Sequence, residues 1–240
     1  MDTLKRSKDR KVTNAVMPSG KTPAIANTFG LPSGKPFSCP GATSVCELIC
    51  YAGKLEKIYK GVREVLVHNW NLLRNADLDT MFTLLDGMVT DFEKDSDKRG
   101  ADKLFRIHWD GDFFNDAYTY AWKRVVENHP DVQFWVYTRT EDSAIILRDI
   151  PNLSLYFSAD SANLDTAIAL REEYGIRLAY LADNFEQGQS VIKQITGRPG
   201  AKCPENKGAL PLISNEGSAC VRCGLCVFNK ADIVFSASKK

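Results

Sequence analysis

The chain has 240 residues, of which 44% are hydrophobic and 25% charged, a composition typical of a soluble globular protein with one large core. Its 31 basic and 30 acidic side chains leave a net charge of +1, which excludes an overall electrostatic attraction to nucleic acid or to a membrane surface. The sequence contains no run of about 18 apolar residues, so we expect no membrane span.

The N-terminus carries the basic stretch KRSKDRK, which shows no apolar periodicity. We expect residues 1–22 to form a basic, flexible tail, and not a signal peptide, because no apolar segment follows the positive charges. This predicts a cytoplasmic protein, whose thiols stay reduced. In that compartment, the seven cysteines are more typical of a metal site or a catalytic site than of a disulfide framework.

The stretch FSCPGATSVCELICYAGK, residues 37–54, brings together Cys39, Cys46 and Cys50. We predict that these three thiolates bind a metal cluster, since proline and glycine make the loop pliable. Three ligands would leave one iron of a [4Fe-4S] cluster open to another molecule, as catalysis at a metal requires. The alternative is a single cluster that takes ligands from both ends of the chain.

Helical segments are predicted before and between the strands of the middle region. Residues 55–75 and 78–94 carry apolar side chains at helical spacing. Further helices are expected to begin after Asn115, Thr140 and Asn163, because these residue types cap helix N-termini. The middle region should therefore contain at least five helical segments.

Four buried strands are predicted in the same region, from short runs rich in β-branched and aromatic residues. They are expected at residues 104–109, 132–137, 153–157 and 176–182. The spacing between them leaves room for one short helix and two turns each time, which is the period of a βα unit.

Repeated βα units imply right-handed crossovers and a parallel sheet, either open or curled. We therefore predict an α/β fold with a partial (β/α) barrel over residues 23–200, which includes the N-terminal cysteine loop. Residues 201–240 are expected to form a cysteine-rich C-terminal extension.

Polar side chains follow the predicted strands, at the edge where parallel α/β folds bind their ligands. They are Asp110, Asp112, Arg139, Ser158, Asp160, Asp183 and Asn184. Each of them alone is also explained by an ordinary turn or helix cap. The stretch HWDGDFF is more specific, because it puts two carboxylates and a glycine in one tight turn; its His108 is not assigned as a ligand.

The second cysteine group lies in ACVRCGLCVF, residues 219–228, where Cys220, Cys223 and Cys226 are spaced as Cys-x-x-Cys-x-x-Cys. This spacing is typical of a loop that wraps an iron–sulfur cluster. Cys203 supplies a fourth thiolate. Zinc could take the same four sulfurs, but zinc sites usually pair two Cys-x-x-Cys units, so we favour a [4Fe-4S] cluster.

Three clustered cysteines ahead of βα units, a strand ending in DGDFF and a strand ending in YTRT resemble the radical S-adenosylmethionine (radical-SAM) enzymes. In that superfamily a three-cysteine loop holds a [4Fe-4S] cluster, and a Gly-Gly-Glu-Pro stretch contacts the amino group of S-adenosylmethionine. The resemblance implies a barrel of the radical-SAM type, with S-adenosylmethionine as a second cofactor and hydrogen abstraction from an unknown substrate. Gly111 and Asp112 match the glycine and glutamate, so it implies cofactor contacts for both, with Ser158 beside them, and a catalytic role for Asp112.

The stretches CPGATSVCELICYAGK, RIHWDGDFFNDAYTYAW and VQFWVYTRT also resemble the actinobacteriophage gene product 88 family, over most of residues 20–228. This resemblance implies a phage protein that acts in the cytoplasm of the host cell.

Three functions remain open at this point. The first is a radical-SAM-like enzyme with one open and one fully ligated cluster, and the second is a non-enzymatic iron–sulfur protein that transfers electrons, senses oxygen or binds a host factor. The third is a zinc-stabilised binding module. The expected partner is a small molecule or a host protein; neither a membrane nor a nucleic acid is expected.

Overall fold

The computed structural model describes residues 2–13 and 24–238, and a parallel β-sheet lies at its centre. Its strands are β1 (Thr28–Gly30), β2 (Leu104–Asp110), β3 (Gln133–Thr138), β4 (Leu153–Ala159), β5 (Arg177–Ala182), β6 (Ala201–Lys202), β7 (Ile213–Ser214), β8 (Gly217–Ser218) and β9 (Ile233–Ser236). Seven of them form one sheet in the order β1-β2-β3-β4-β5-β9-β6, and every strand pair in it is parallel. Strands β7 and β8 form a separate antiparallel hairpin.

Helices precede the sheet and connect its strands. They are α1 (Ser44–Ile49), α2 (Tyr51–Ile58), α3 (Lys60–Leu73), α4 (Leu78–Arg99), α5 (Asp116–Asn128), α6 (Glu141–Leu147), α7 (Leu164–Tyr174), α8 (Phe185–Thr196) and α9 (Ala219–Cys223). The helix predicted over residues 55–75 is in fact two helices, because Tyr59 adopts an extended backbone between α2 and α3. The next helix runs five residues beyond the predicted end and stops at Gly100, whose backbone is left-handed.

The predicted strands and caps of the middle region agree with the structure to within two residues. Asn115 and Asn184 cap α5 and α8, since their side-chain oxygens accept hydrogen bonds from the backbone N–H groups of Tyr118 (2.8 Å) and Gln187 (2.9 Å). The α/β fold class is therefore confirmed.

The strand order places the crossover helices on one face of the sheet. Because β1 to β5 are adjacent in chain order, right-handed crossovers put α5, α6 and α7 on the same side. These helices pack side by side, with α4 against α5, α5 against α6 and α6 against α7. Phe105, Phe134 and Trp122 belong to the large core between this helical layer and the sheet.

The sheet does not close into a barrel. Its outer strands, β1 and β6, lie at opposite ends of the strand order and do not pair with each other. Of the partial barrel that the sequence predicts, the structure shows an open sheet of parallel strands. The C-terminal segment contributes β6 and β9 to the same sheet.

The N-terminal segment differs from the flexible tail predicted for residues 1–22. Ser7 pairs with Thr28 at the edge of β1, and Arg6 forms a 3.0 Å ion pair with Asp95. Val12 is completely buried. Residues 2–13 are therefore packed against the rest of the protein, because their backbone and charged side chains form hydrogen bonds and ion pairs there. Residues 1 and 14–22 of the predicted tail lie outside the described residues.

No helix within residues 2–13 and 24–238 combines the length and the apolar content that a membrane span needs.

Candidate functional site

The face of the sheet opposite the crossover helices, which we call the open face, carries the C-terminal cysteines. Side chains alternate between the two faces of a strand, so Trp135, Tyr137 and Tyr156 point away from the helical layer that Phe134 contacts. The residues of the C-terminal segment that pack on this face are Cys203, Cys220, Val221, Leu225, Cys226 and Val227. The long stretch between β6 and β9 therefore covers the open face.

Four cysteines form what we call the C-terminal cysteine group: Cys203, Cys220, Cys223 and Cys226. Cys203 directly follows β6, and its N–H donates to the carbonyl of Val234 in β9 (3.0 Å). The other three lie in and just after α9, which ends at the left-handed Gly224. The pairing of β6 with β9 thus brings the distant Cys203 to the Cys-x-x-Cys-x-x-Cys segment.

The thiols of this group interact electrostatically. Burial raises the pKa values of Cys203, Cys220 and Cys226, the last to about 12. The nearby thiols add to the rise: Cys226 and Cys203 act on Cys220, while Cys203 and Cys223 act on Cys226. A bound cation would reverse this balance and favour the thiolates.

The residue types of the group fit a metal, but their placement does not form a coordination shell. Four thiols are the donor set of iron–sulfur clusters and of structural zinc sites. Among the residues that the structure describes, no three Cys, His, Asp or Glu side chains are arranged to hold a metal ion as they stand. All seven metal ligands named from the sequence therefore stay predictions.

The N-terminal segment lies over the C-terminal cysteine group. The N–H of Cys220 donates to the carbonyl of Lys11 (2.9 Å), and the hydroxyl of Ser218 donates to the carbonyl of Thr13. Val12, between them, packs on the open face with Trp135. These contacts cover part of the cysteine group, whose four side chains remain partly exposed.

The other three cysteines line a pocket of about 360 Å³, which we call the cysteine pocket. Cys46 lies on α1, and Cys50 joins α1 to α2, where its Sγ accepts a hydrogen bond from the N–H of Gly53 (3.3 Å). The residues that line the pocket are Ser33, Gly34, Phe37, Cys39, Ala42, Cys46, Glu47, Leu48, Cys50, Gly53, Lys54, Glu56, Lys57 and Arg63. The three cysteines thus share one cavity that is open to solvent.

A buried ion pair fixes the cysteine loop to the carboxyl edge of the sheet. Arg139 and Asp160, which follow β3 and β4, form a 2.6 Å ion pair with side chains 9% and 0% exposed. Asp160 also accepts a hydrogen bond from the hydroxyl of Thr43 (2.6 Å), and that hydroxyl caps α1 by accepting from the N–H of Cys46 (3.0 Å). The sequence predicts both residues at the ligand-binding edge of the sheet, and the structure places them beneath the cysteine loop.

Asp112 lies at the same edge and is occupied by hydrogen bonds. Its carboxylate accepts from the hydroxyl of Thr138 (2.7 Å), from the N–H of Arg139 (2.8 Å) and from the N–H of Phe113 (2.8 Å). Burial raises the pKa of Asp112 to about 6, and the hydrogen bonds from Arg139 and Thr138 limit the rise. These bonds tie the loop after β2 to the end of β3; the catalytic role stays a prediction.

The two other predicted cofactor contacts also lie near the carboxyl edge. Gly111 has a φ of +84°, and a Cβ there would come within 2.5 Å of the Ser38 hydroxyl oxygen, so only glycine lets these loops approach. Ser158 lies near the end of β4, and its carbonyl accepts from the side chain of Asn163 (3.2 Å). Their contacts with a cofactor stay predictions.

His108 belongs to the core of the helical side. Its Nε2 lies 2.8 Å from the hydroxyl of Tyr118, and its ring contacts Phe113, with ring centroids 4.8 Å apart. Burial, with a smaller contribution from Arg106, lowers the pKa of His108 to about 3. A neutral, enclosed imidazole of this kind is a packing residue.

Glu56, which lines the cysteine pocket, lies beside the carboxyl group of Asp110, a pairing that no sequence motif indicates. Glu56 accepts hydrogen bonds from the N–H (2.9 Å) and the hydroxyl (2.5 Å) of Ser33. Burial raises the pKa of Asp110 to about 8, and the adjacent Glu56 contributes to the rise. Oδ2 of Asp110 is buried without a hydrogen-bond partner among the described residues. No local pattern links residues 56 and 110.

Replacing Asp110 by asparagine should stabilise the protein at neutral and alkaline pH. The folded-state pKa of about 8 lies above the ordinary 3.8, so wild-type stability falls as pH rises from about 4 to 8. Asp110→Asn removes this loss, and we expect a gain of up to about 5 kcal/mol at pH 8, because the pKa rises by about four units and each unit corresponds to about 1.4 kcal/mol. Urea denaturation at pH 5 and pH 8 measures it.

The exposed Asp131 provides the matched control, since Asp131→Asn should change stability by less than about 0.5 kcal/mol at either pH. An Asp110→Asn variant less stable than wild type at pH 8 would contradict the expected sign.

Arg106 lies on β2 beside the C-terminal cysteine group, and no sequence motif indicates its role. It forms a 2.9 Å ion pair with Asp9, and its guanidinium lies 5.6 Å from the ring centroid of Tyr137. Burial raises the pKa values of Cys220 and Asp110, and the charge of Arg106 limits the rise in both.

The family model of gene product 88 matches residues 2–229. The chain belongs to this family. It is 52% identical over 245 residues to the Gene 88 protein of Mycobacterium phage L5 and 51% identical over 246 residues to that of Mycobacterium phage D29, with 100% of both chains covered each time. No solved structure gives a significant match.

These matches confirm the gene product 88 resemblance and its bacteriophage setting. They give no support to the resemblance to radical-SAM enzymes. The function of the two cysteine groups must therefore be argued from their residues.

Proposed function

We propose that this gene product 88 protein is an iron–sulfur protein with two sites, one closed and one open. The C-terminal cysteine group holds a [4Fe-4S] cluster with four thiolates, and Cys39, Cys46 and Cys50 hold a second through three. The observation that carries the proposal is that the fold gathers the seven cysteines into two groups. Burial is the largest influence on the pKa of each of these thiols, and the charges and hydrogen bonds that follow it come from the same group or from adjacent residues, not from the other group.

The closed site suits a structural or electron-transfer cluster. It packs against aromatic side chains of the open face and against the N-terminal segment, and a cluster with four thiolate ligands has no open position for a substrate. We favour iron over zinc because three closely spaced cysteines join one distant cysteine. This site alone would support the second candidate, a non-enzymatic iron–sulfur protein.

The open site suits chemistry on a bound molecule. Three thiolates leave one position of a cluster without a protein ligand, and the pocket gives that position access to solvent. A bound iron–sulfur cluster supplies one-electron chemistry, while the chain binds and orients the reacting molecule. The buried ion pair, through Thr43, fixes the start of the helix that carries Cys46 at the carboxyl edge, where parallel α/β folds bind substrates.

We propose more specifically that the open site belongs to a radical-SAM-like enzyme. It is supported by the parallel sheet, the position of the three-cysteine loop and the turn that contains Gly111 and Asp112. On this proposal Asp112 and Ser158 contact S-adenosylmethionine, and the protein acts in the host-cell cytoplasm on a small molecule or a host protein.

Metal and sulfide analysis of anaerobically purified full-length protein tests the proposal. We expect about eight iron atoms and about eight sulfide ions per chain, because each cluster carries about four of each. A protein that contains zinc and no sulfide would overturn the proposal. A content of about four iron atoms per chain would indicate a single cluster and reject the proposal of two sites.

EPR of the dithionite-reduced protein, with and without S-adenosylmethionine, tests the enzyme proposal. A signal that changes shape on addition supports an open cluster in contact with the cofactor. An unchanged signal contradicts the radical-SAM-like enzyme and favours the redox or structural protein.

A further inference from the structure

Three basic side chains line the cysteine pocket: Lys54 and Lys57 on α2 and Arg63 on α3. Lys54 and Lys57 are three positions apart and so lie on one side of α2. Arg63 approaches from the next helix. The pocket therefore receives positive charge from two elements.

None of these three cations has an ion-pair partner among the described residues. Other basic residues nearby are paired, as Lys60 is with Glu64 at 3.8 Å. The pocket also contains two carboxylates, Glu47 and Glu56, so its lining carries three positive and two negative charges. Glu56 is held by the two hydrogen bonds from Ser33, which leaves the cations free to bind an anion.

We propose that the cysteine pocket binds a small phosphate-bearing molecule through Lys54, Lys57 and Arg63. Arginine and lysine form strong charge-assisted hydrogen bonds with phosphate oxygens, and a dianionic group can use several cations at once. A monocarboxylate would need only one of them.

The size of the pocket sets the class of ligand. A volume of about 360 Å³ lies at the lower end of the range for small-molecule sites. It admits a phosphorylated metabolite and excludes the body of a protein or a duplex nucleic acid. The phosphate at the cations would hold the rest of the molecule beside Cys39, Cys46 and Cys50, so the inference rests on the proposed open site for the role of the thiols.

Isothermal titration calorimetry of the full-length protein with pyrophosphate, at low ionic strength, tests the inference. We expect saturable binding of one pyrophosphate per chain. The variant Lys54→Gln/Lys57→Gln/Arg63→Gln should weaken it at least tenfold.

A second triple variant, Lys60→Gln/Lys94→Gln/Lys98→Gln, is the matched control. It removes the same net charge from residues outside the pocket lining, and its affinity should stay within twofold of wild type. Equal weakening in both triple variants, or no binding to the wild type, would overturn the inference. Circular dichroism spectra of both variants confirm folding.

Iron analysis of the same samples separates this inference from the proposed function. Pyrophosphate binding to a protein without iron supports the anion site and rejects the cluster. A protein with both clusters that ignores pyrophosphate rejects the anion site alone.

Discussion

Replacing Cys226 by serine should remove the closed cluster and leave the open one. The variant loses one of four thiolates, so we expect bound iron to fall from about eight to about four atoms per chain. Stability should fall as well, because metal-binding energy contributes to folding where a site joins distant segments. Iron analysis and thermal unfolding monitored by circular dichroism measure both effects.

Cys46→Ser is the matched substitution in the open site. It should also halve the iron content, but the protein should stay folded, since the ion pair of Arg139 and Asp160 holds the loop without metal. Loss of all iron from either variant would contradict two separate clusters. It would favour the alternative of one cluster with ligands from both ends of the chain.

Replacing Asp160 by alanine should destabilise the protein by about 3–5 kcal/mol, the usual cost of leaving a buried charge without its partner. Asp160 is fully buried, and its loss strands the Arg139 guanidinium and frees the hydroxyl of Thr43. We therefore also expect iron to be lost from the open site. A shift of the urea midpoint at constant slope measures the first effect.

Glu127→Ala is the control for this prediction. Glu127 pairs with Lys123 at 2.8 Å, but its side chain is 49% exposed, and such pairs contribute less than about 1 kcal/mol. If Asp160→Ala lowers the free energy of unfolding by less than about 1 kcal/mol, the Arg139 guanidinium is hydrated in the variant and the ion pair does not hold the loop.

The two cysteine groups lie on different parts of the protein, and their environments suit different roles. The C-terminal group packs against aromatic residues and is partly covered by residues 11–13. The cysteine pocket is open, and its lining includes three cations and two carboxylates.

Local patterns in the sequence predict most of the central strands and helices. Strands β2 to β5 are runs of β-branched and aromatic residues, and Asn115 and Gly175 mark helix ends through their own side-chain or backbone properties. Strands β1, β6 and β9 have only two to four residues, too few to show periodicity, and they form by pairing with distant strands.

The sequence by itself determined the α/β class, the order of the central elements and the division of the cysteines by their spacing. The tertiary structure decided what surrounds them. The packed N-terminal segment, the pair of Glu56 and Asp110, and the position of Arg106 all depend on residues that are far apart in the chain. Such contacts form only when the sheet brings separate segments together, and no local pattern encodes them.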